Sequence, residues 1–364
     1  MGISCLHKFL RKNCPEIYQE IHLSKYAFKK IAIDISLYLF KYKTIFGDRW
    51  ISAFINLVSC MRRNNIHCVF IYDTGSPPEK QGEKEERAEA REKLEQKVYD
   101  LEDALDHYHK TSEILPILIE FDKKRKTKAN LNMKRLLKKD DAISIVELTQ
   151  EIQKIKNQAV HISSKDFEIT KILFDVLKVP YFQAPLEAET MCSDICIRKQ
   201  VDAVISEDTD VLAYSSPVFL TKLNTQNDTC VEIRYENILQ SLDISSDQFL
   251  DLCIMCGTDY NKNIYKVGPE KAFKFLKEHG TIDDLLNKGV LDETSISVLK
   301  HVRVRELFRK YTKSDVLISY CGDPDKEKLQ EFIYKYNVRI NLESFYKSCA
   351  PAKLVFDEED VEDQ

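Results

Sequence analysis

Acidic residues end three separated apolar runs of the sequence. Ile-Ala-Ile precedes Asp34, Phe-Ile-Tyr precedes Asp73, and Val-Ile-Ser-Glu precedes Asp208, with Asp210 two residues further on. Short apolar runs of this kind are typical of buried strands in a parallel sheet. Ligands of such sheets bind beyond the carboxyl ends of the strands. We therefore expect these acids to meet at one edge of a sheet.

Three more acids stand beside apolar segments, two of them in Ala-Pro-Leu-Glu-Ala-Glu and one after Gly257. Crowded carboxylates repel one another unless cations neutralise them, and their oxygens suit Mg²⁺ or Mn²⁺. Two such ions can activate a water and stabilise both oxygens of an in-line displacement at phosphorus. The sequence thus predicts phosphodiester hydrolysis with seven metal-binding acids: Asp34, Asp73, Glu187, Glu189, Asp208, Asp210 and Asp259.

Glu187 and Glu189 also have a plainer interpretation. They follow Pro185 in a predicted first helical turn, where the helix dipole favours acids whatever the function. Residues two apart on a regular helix point to different faces. Both acids can reach one pair of ions only if the helix begins between them, or if one binds through water. Asp34 or Asp73, taken singly, could instead cap a helix.

Lys80, Arg87 and Arg91 are spaced by seven and four residues, which places them on one helical face. They begin soon after Asp73 and could hold a phosphate opposite the metal ions. The alternative is a solvated helix side whose basic residues pair with neighbouring glutamates.

Predicted helices at 50–64 and 186–199 alternate with the apolar runs, which indicates an α/β fold with a mainly parallel sheet flanked by helices. Residues 84–160 interrupt this order with two stripes of apolar residues at helical spacing. The stripes predict an antiparallel helical hairpin over 83–158, with the nine basic residues of 123–139 toward its tip. Two helices on the sheet with a solvated basic loop remain the alternative.

Composition limits the class of protein. The 364 residues carry a net charge of −5 and contain no run of about 18 apolar residues that would span a membrane. Eleven cysteines without an apolar leader segment indicate reduced thiols, so we expect an intracellular protein of the nucleus or cytoplasm. The final eight residues include six acids and predict a disordered tail.

The motifs, taken in order, resemble those of the flap endonucleases of the XPG family. They are Met-Gly-Ile, Ile-Ala-Ile-Asp34, Phe-Ile-Tyr-Asp73, Ala184-Pro-Leu-Glu-Ala-Glu, Ser206-Glu-Asp-Thr-Asp, Cys256-Gly-Thr-Asp-Tyr and Val267-Gly-Pro-Glu-Lys-Ala. The resemblance implies a PIN-like fold, two divalent ions, and cleavage of branched DNA near 5′ flaps in replication, repair or recombination, with accompanying 5′ exonuclease activity. It also implies that the seven acids bind the metals and that Lys80 and Arg87 contact the phosphate.

The resemblance implies further contacts with DNA and a helix-two-turn-helix that binds a monovalent ion. Lys266 replaces a glycine usual in that turn, and Phe40 replaces a stacking tyrosine, whose role Tyr38 could share. The implied DNA-binding residues are Gly2, Tyr38, Phe40, Arg91, Lys266, Val267, Gly268 and Lys271.

The predicted organisation has five parts: a nuclease core at 1–82 and 161–242, a helical arch or stalk at 83–160, C-terminal helices including the helix-two-turn-helix at 243–350, and the tail at 351–364. We expect a monomer that binds flapped or branched DNA. No complete sliding-clamp motif is present, since Gln330-Glu-Phe-Ile is followed by Tyr336-Asn337 and so fails at the last of the two aromatic positions. The alternatives are a double-strand 5′ exonuclease or junction-cutting relative, a PIN-type ribonuclease, and a non-catalytic binding protein.

Overall fold

The computed structural model describes residues 2–3, 5–132 and 143–349. The chain forms two compact units. The first contains Met1–Leu39, Arg49–Lys80 and Ser163–Gln364, and the second contains Phe40–Asp48 and Gln81–Ile162. The predicted tail at 351–364 lies outside the described residues, as does the part of the basic run at 133–142.

A seven-stranded sheet organises the first unit, with strand order β1-β7-β6-β5-β2-β3-β4. Neighbours from β6 to β4 pair in parallel, whereas β7 is antiparallel to both β6 and β1. The predicted α/β fold with a mainly parallel sheet is confirmed. The strands are β1 Gln19–His22, β2 Lys30–Asp34, β3 His67–Tyr72, β4 Tyr181–Gln183, β5 Ala203–Ile205, β6 Val218–Asn224 and β7 Thr229–Arg234.

Helices cover the central strands, and the apolar composition of β2 follows from this. Ile31, Ala32 and Ile33 are fully buried, so both faces of this strand are removed from water. Ile33 pairs with Ile205 in β5, and Asp34 pairs with Ile71 in β3. Because these strands are parallel and in register, their carboxyl ends lie at the same edge of the sheet.

The helices follow the predicted alternation with the strands. No helix among the described residues is both long and apolar enough to cross a membrane. Single 3₁₀ turns occupy Pro15–Ile17, Leu23–Tyr26, Gly47–Arg49 and Pro78–Lys80. The α-helices are α1 Leu6–Asn13, α2 Ile35–Phe46, α3 Trp50–Arg63, α4 Gln81–Thr111, α5 Pro116–Asn132, α6 Ile145–Gln158, α7 Ser164–Leu177, α8 Ala188–Ile197, α9 Asp210–Ala213, α10 Tyr235–Leu242, α11 Ser246–Cys256, α12 Pro269–His279, α13 Ile282–Asn287, α14 Glu293–Ser297, α15 His301–Arg309, α16 Lys326–Lys335 and α17 Leu342–Ser348.

The second unit differs from a hairpin of two helices, because a third helix, α5, lies between α4 and α6 in the chain. Pro116 begins α5, and proline is favoured in a first helical turn. The start of the predicted basic tip, from Lys123 onward, therefore belongs to a helix. All three helices contribute to one small apolar cluster, which consists of Leu101, Ala104, Leu105, Leu118, Phe121, Leu148 and Ile152.

Candidate active site

Asp34 ends β2 and begins the connection to α2. Its Oδ1 accepts hydrogen bonds from the backbone amides of Ser36, at 2.8 Å, and Leu37, at 3.4 Å. Asp34 therefore caps α2, as the plainer interpretation required, and it also lies at the sheet edge with the other acids. Burial, followed by the charge of Asp73, raises the pKa of Asp34 well above its usual value.

Asp73 follows β3 and links three segments of the chain. One carboxylate oxygen accepts a bond of 2.6 Å from the amide of Ala188, the first residue of α8. The other accepts from the hydroxyl of Ser36. These bonds connect β3 to the start of α8 and to the start of α2, which fixes the edge of the sheet at this point.

The helix α8 begins between Glu187 and Glu189. Glu187 is its N-cap residue, with extended backbone at φ −95° and ψ 139°, and Ala188 is the first helical residue. Glu187 is only 5% exposed, and the half-buried Glu189 has its pKa raised well above normal, first by burial and then by Asp34 and Asp73. The helix start thus removes the difficulty of the two-residue spacing, and neither acid points into solvent.

Asp208 and Asp210 follow β5 and form a tight turn. The amide of Asp210 donates to Asp208 Oδ1 at 2.9 Å, and the amide of Asp208 donates to Ser206 Oγ at 3.0 Å. Asp210 is buried at the start of α9, yet its Oδ1 has no hydrogen-bond partner among the described residues. Burial, then the charges of Asp208 and Asp259, raises the pKa of Asp210 well above its usual range.

Lys80 lies between two of the acids. Its Nζ is 2.5 Å from Glu187 Oε1 and 3.0 Å from Asp259 Oδ2. Burial alone would lower the pKa of Lys80, but Glu189, Glu187 and Asp259 reverse that effect and hold the pKa above its ordinary value. The ammonium group is therefore charged and offsets part of the negative charge of the cluster.

Gly2 lies against the acids of the β5 turn. It has φ +80°, and a Cβ built on it would lie 1.9 Å from Asp208 Oδ1 and 2.8 Å from Asp210 Oδ1. The next amide, that of Ile3, donates to Thr209 Oγ1 at 2.9 Å. Only glycine fits here, both for its backbone conformation and for the space available.

Two of the predicted DNA contacts need correction. Tyr38 is 1% exposed and lies between Leu37 and Leu39, which are also buried. Its ring is therefore not available to stack on a base, and that prediction is wrong. The amide of Val267 donates to Ile264 O at 3.0 Å, so this amide is not free to hold a phosphate. Phe40, by contrast, is 36% exposed.

The other predicted contacts divide between the two units. Arg87 and Arg91 lie on α4 in the second unit, where Arg87 forms an ion pair with Glu83. In the first unit Gly268 is the N-cap residue of α12, and Lys271 is exposed on that helix. Lys266 has φ +59°, so it adopts the left-handed conformation that normally favours glycine.

The structure adds residues that the sequence analysis missed, namely Ser36, Thr209, Tyr214 and Tyr260. The Ser36 hydroxyl donates to Asp73, and the Thr209 hydroxyl accepts from the amide of Ile3, as described above. Tyr260 donates to Glu187 Oε2 at 2.5 Å, and Tyr214 lies 2.9 Å from Tyr260. The sequence offered one signal for these four residues, namely that each lies within four positions of Asp34, Asp208, Asp210 or Asp259. Glu207 instead accepts a bond from Thr221 in β6, away from this network.

The donor chemistry of the cluster suits hard divalent cations. Within the described part of the chain no three His, Cys, Asp or Glu side chains are arranged as a ready-made ion site. However, five of the acids have raised pKa values that mutual repulsion helps to cause, and Asp210 offers a buried oxygen without a partner among the described residues. Added positive charge would relieve both features, so the residues fit divalent ions held by oxygen ligands.

Comparison with known proteins identifies the same family in two regions of the sequence, which together carry the acids of the site. Residues 1–94 match the XPG N-terminal domain and residues 178–259 match the XPG I-region. The protein named "Probable RAD2-like endonuclease 076L" of Invertebrate iridescent virus 3 is 32% identical over 365 residues, which cover 92% of this chain and 94% of that protein. Flap endonuclease 1 of Lodderomyces elongisporus is 27% identical over 92% of this chain and 83% of its own length.

The fold matches solved structures over a similar extent. The catalytic core of Rad2 in complex with DNA substrate has a TM-score of 0.62 and 15% identity, covering 92% of this chain and 95% of that one. This likeness concerns the fold, whereas the sequence matches span the acid-bearing segments around Asp34, Asp73, Glu187, Asp208 and Asp259. The chain therefore belongs to the XPG family of structure-specific nucleases.

Proposed function

We propose that this protein is a divalent-metal-dependent endonuclease that hydrolyses DNA near the junction of a 5′ flap, with accompanying 5′ exonuclease activity. The observation that carries the proposal is the gathering of acids from separate chain segments at one sheet edge, around the ammonium of the half-buried Lys80. The family match and the 27% identity to a flap endonuclease 1 support the choice of substrate.

In this proposal seven acids hold two Mg²⁺ or Mn²⁺ ions: Asp34, Asp73, Glu187, Glu189, Asp208, Asp210 and Asp259. When bound, such ions supply a hydroxide nucleophile and stabilise charge on the phosphate oxygens. Gly2 leaves open the space next to Asp208 and Asp210, which a side chain would fill. Lys80 offsets negative charge beside Glu187 and Asp259 and can donate to a phosphate oxygen brought to this edge.

DNA contacts outside the acids are also proposals. Arg87, Arg91 and the exposed Phe40 would contact the substrate from the second unit. Lys266 and Lys271 would contact duplex phosphates near the start of α12, with a monovalent ion at the preceding turn. An intracellular location is supported by the eleven cysteines, which are all free thiols.

The test is cleavage of a 5′ flap substrate by the full chain with Mg²⁺ and with EDTA. We expect Asp208→Asn and Asp210→Asn each to slow cleavage by at least about 100-fold, because each removes a ligand charge. Flap binding in EDTA should stay within a few-fold of the wild-type value. Glu207→Gln is the matched control, since Glu207 is an adjacent acid that bonds to Thr221 and should leave cleavage unchanged.

Full activity of either aspartate variant, or equal activity in EDTA, would rule out the proposed mechanism. Product mapping on 5′ flap, nicked and four-way substrates addresses the substrate separately. Predominant cleavage one or a few nucleotides from the flap junction supports a flap endonuclease. Predominant stepwise release from a duplex 5′ end, or symmetrical cuts in the four-way substrate, would replace it with an exonuclease or a junction-cutting enzyme.

A further inference from the structure

Two buried tyrosines form a directed hydrogen-bond chain that ends on Glu187. The hydroxyl of Tyr260 donates to Glu187 Oε2 at 2.5 Å, and the hydroxyls of Tyr260 and Tyr214 are 2.9 Å apart. A phenol has one proton to donate. Because Tyr260 uses its proton toward the carboxylate, Tyr214 must donate to Tyr260. The order of donation is therefore Tyr214 to Tyr260 to Glu187.

The surroundings of the chain keep both phenols protonated and both rings in place. Burial is the main cause that raises the pKa of Tyr214 and of Tyr260 well above their usual value, so both remain donors at neutral pH. Phe308, on α15, packs against both rings, with centroids 4.8 Å from Tyr214 and 5.3 Å from Tyr260. Tyr311 adds an edge contact with Tyr214 at 5.9 Å.

Glu187 is consequently oriented from two sides. Lys80 lies 2.5 Å from Oε1, and Tyr260 occupies Oε2. Among the described residues, Lys80 is the remaining polar partner of the carboxylate when the Tyr260 hydroxyl is removed, so the carboxylate could rotate toward a two-oxygen contact with the ammonium. Hydrogen bonds that fix a ligating carboxylate commonly change metal affinity when they are removed.

One turn delivers both Tyr260 and Asp259 to the site. It follows α11 at Gly257, whose φ is +89°, and is closed by the bond of 2.7 Å from Thr258 Oγ1 to Asn261 Oδ1. The same hydroxyl accepts from the amide of Tyr260 at 3.1 Å. Asp259 reaches Lys80 while Tyr260 reaches Glu187, so the turn sets the geometry around both partners of the ammonium.

We propose that Tyr260, supported by Tyr214, is a positioning residue that holds Glu187 in the orientation needed to bind a divalent cation. This inference rests on the proposed function, because it takes Glu187 as a metal ligand. The two tyrosines act through Glu187, and the predicted consequence is on metal affinity before any consequence on DNA binding.

The test compares three Tyr→Phe variants of the full chain. Tyr260→Phe and Tyr214→Phe remove one hydroxyl each and keep the rings that pack on Phe308. Tyr26→Phe is the matched control, since Tyr26 is also buried and donates to a buried glutamate, Glu232 Oε2, at 2.7 Å. Mn²⁺ binding without DNA is measured by calorimetry, and flap cleavage is measured as a function of Mg²⁺ concentration.

We expect Tyr260→Phe to weaken Mn²⁺ binding about 10-fold and to raise the Mg²⁺ concentration for half-maximal cleavage by a similar factor. The KM for flap DNA at saturating Mg²⁺ should not change. Tyr214→Phe should have a smaller effect, about threefold, because the direct bond to Glu187 remains. Tyr26→Phe should bind Mn²⁺ as the wild type does, although its melting temperature falls.

The inference is overturned if Tyr260→Phe and Tyr26→Phe bind Mn²⁺ equally well, whatever their melting temperatures. A wild-type protein that binds Mn²⁺ but does not cut flaps contradicts only the proposed function, and the comparison of Mn²⁺ affinities still decides the role of Tyr260. A wild-type protein that binds no Mn²⁺ overturns both.

Discussion

Asp210 in the sheet edge and Asp122 in the inserted helices are equally buried, each 3% exposed, but their surroundings are opposite. Asp210 faces Asp208 and Asp259, and one of its oxygens has no hydrogen-bond partner among the described residues. Asp122 accepts bonds of 3.0 and 2.8 Å from Arg125 and forms an ion pair of 2.9 Å with Lys126. The pKa of Asp210 is raised, whereas that of Asp122 is lowered.

The difference separates charges kept for function from charges that hold a structure together. Asp122 and its partners lie within one turn of α5, and Arg125 continues to Glu147 on α6 at 2.7 Å. That network is complete without any added ion. The sheet edge has excess negative charge that Lys80 offsets only in part, so it is the region where bound cations would increase stability.

The largest expected effect is on the inserted helices. Asp122→Asn should lower the free energy of unfolding by about 2 kcal/mol, because it removes a buried charge and presents an amide donor to Lys126 or Arg125. Urea unfolding at neutral pH measures this value. Burial alone would raise the pKa of Asp122, but Lys126 and Arg125 lower it, so the stabilisation is present at neutral pH and is lost as pH falls through the folded-state pKa. A variant as stable as the wild type at neutral pH would contradict the comparison.

The same substitution at the sheet edge should have the opposite sign. In EDTA, Asp210→Asn should raise the free energy of unfolding by about 1 kcal/mol near pH 7.5, because it removes a repelled and buried charge. Since the folded-state pKa of Asp210 is raised, wild-type Asp210 is protonated at acid pH and its cost appears as pH rises through that pKa. The advantage of the variant should therefore be smaller at pH 4.5 than at pH 7.5.

Addition of Mg²⁺ should reverse this order at pH 7.5, since the wild type gains binding energy and the variant loses a ligand. Thermal unfolding with and without Mg²⁺ measures both parts. If Asp210→Asn is less stable than the wild type in EDTA at pH 7.5, the carboxylate has a structural role that the hydrogen-bond network does not show.

The basic run sharpens the comparison further, because its members are not equivalent. Arg125 and Lys126 bond to Asp122, whereas Lys123 is exposed and the ion-pair partner of Lys124 among the described residues is the exposed Glu120. Lys123→Gln together with Lys124→Gln should leave stability nearly unchanged and weaken binding of a flapped substrate more than that of blunt duplex. If both lysines contact single-stranded phosphates, the slope of log affinity against log salt should fall by about 1.4.

A matched control for this pair is Lys93→Gln with Lys154→Gln, two exposed lysines on α4 and α6. It removes the same charge from the same unit. Equal losses on flap and duplex, or equal losses in the control, would show that the basic run acts only through general charge.

The sequence predicted the sheet edge more accurately than the inserted helices, and the reason is physical. An apolar run followed by an acid indicates a strand that is buried on both faces of the sheet and ends at a polar edge. Local sequence is enough to predict both features. The local pattern did not determine where α8 begins, and the structure places its start between Glu187 and Glu189. The third helix, α5, and the burial of Tyr38 depend on contacts between distant segments, which periodicity does not report.

The smallest expected effect concerns the backbone of the first unit. Lys266 has φ +59° immediately before Val267, whose side chain is buried. A lysine in this conformation is strained, and glycine removes the strain but has more freedom when unfolded. Lys266→Gly should therefore raise the free energy of unfolding by at most about 1 kcal/mol. The same substitution removes the ammonium of Lys266, whose Nζ lies 5.0 Å from the ring of the exposed Tyr265. Any contact of this ammonium with a phosphate would be lost. A variant that is more stable but binds duplex DNA more weakly, with a shallower salt dependence, indicates that lysine is kept here for DNA contact despite its strain. Unchanged duplex binding would mean that the residue contributes strain alone.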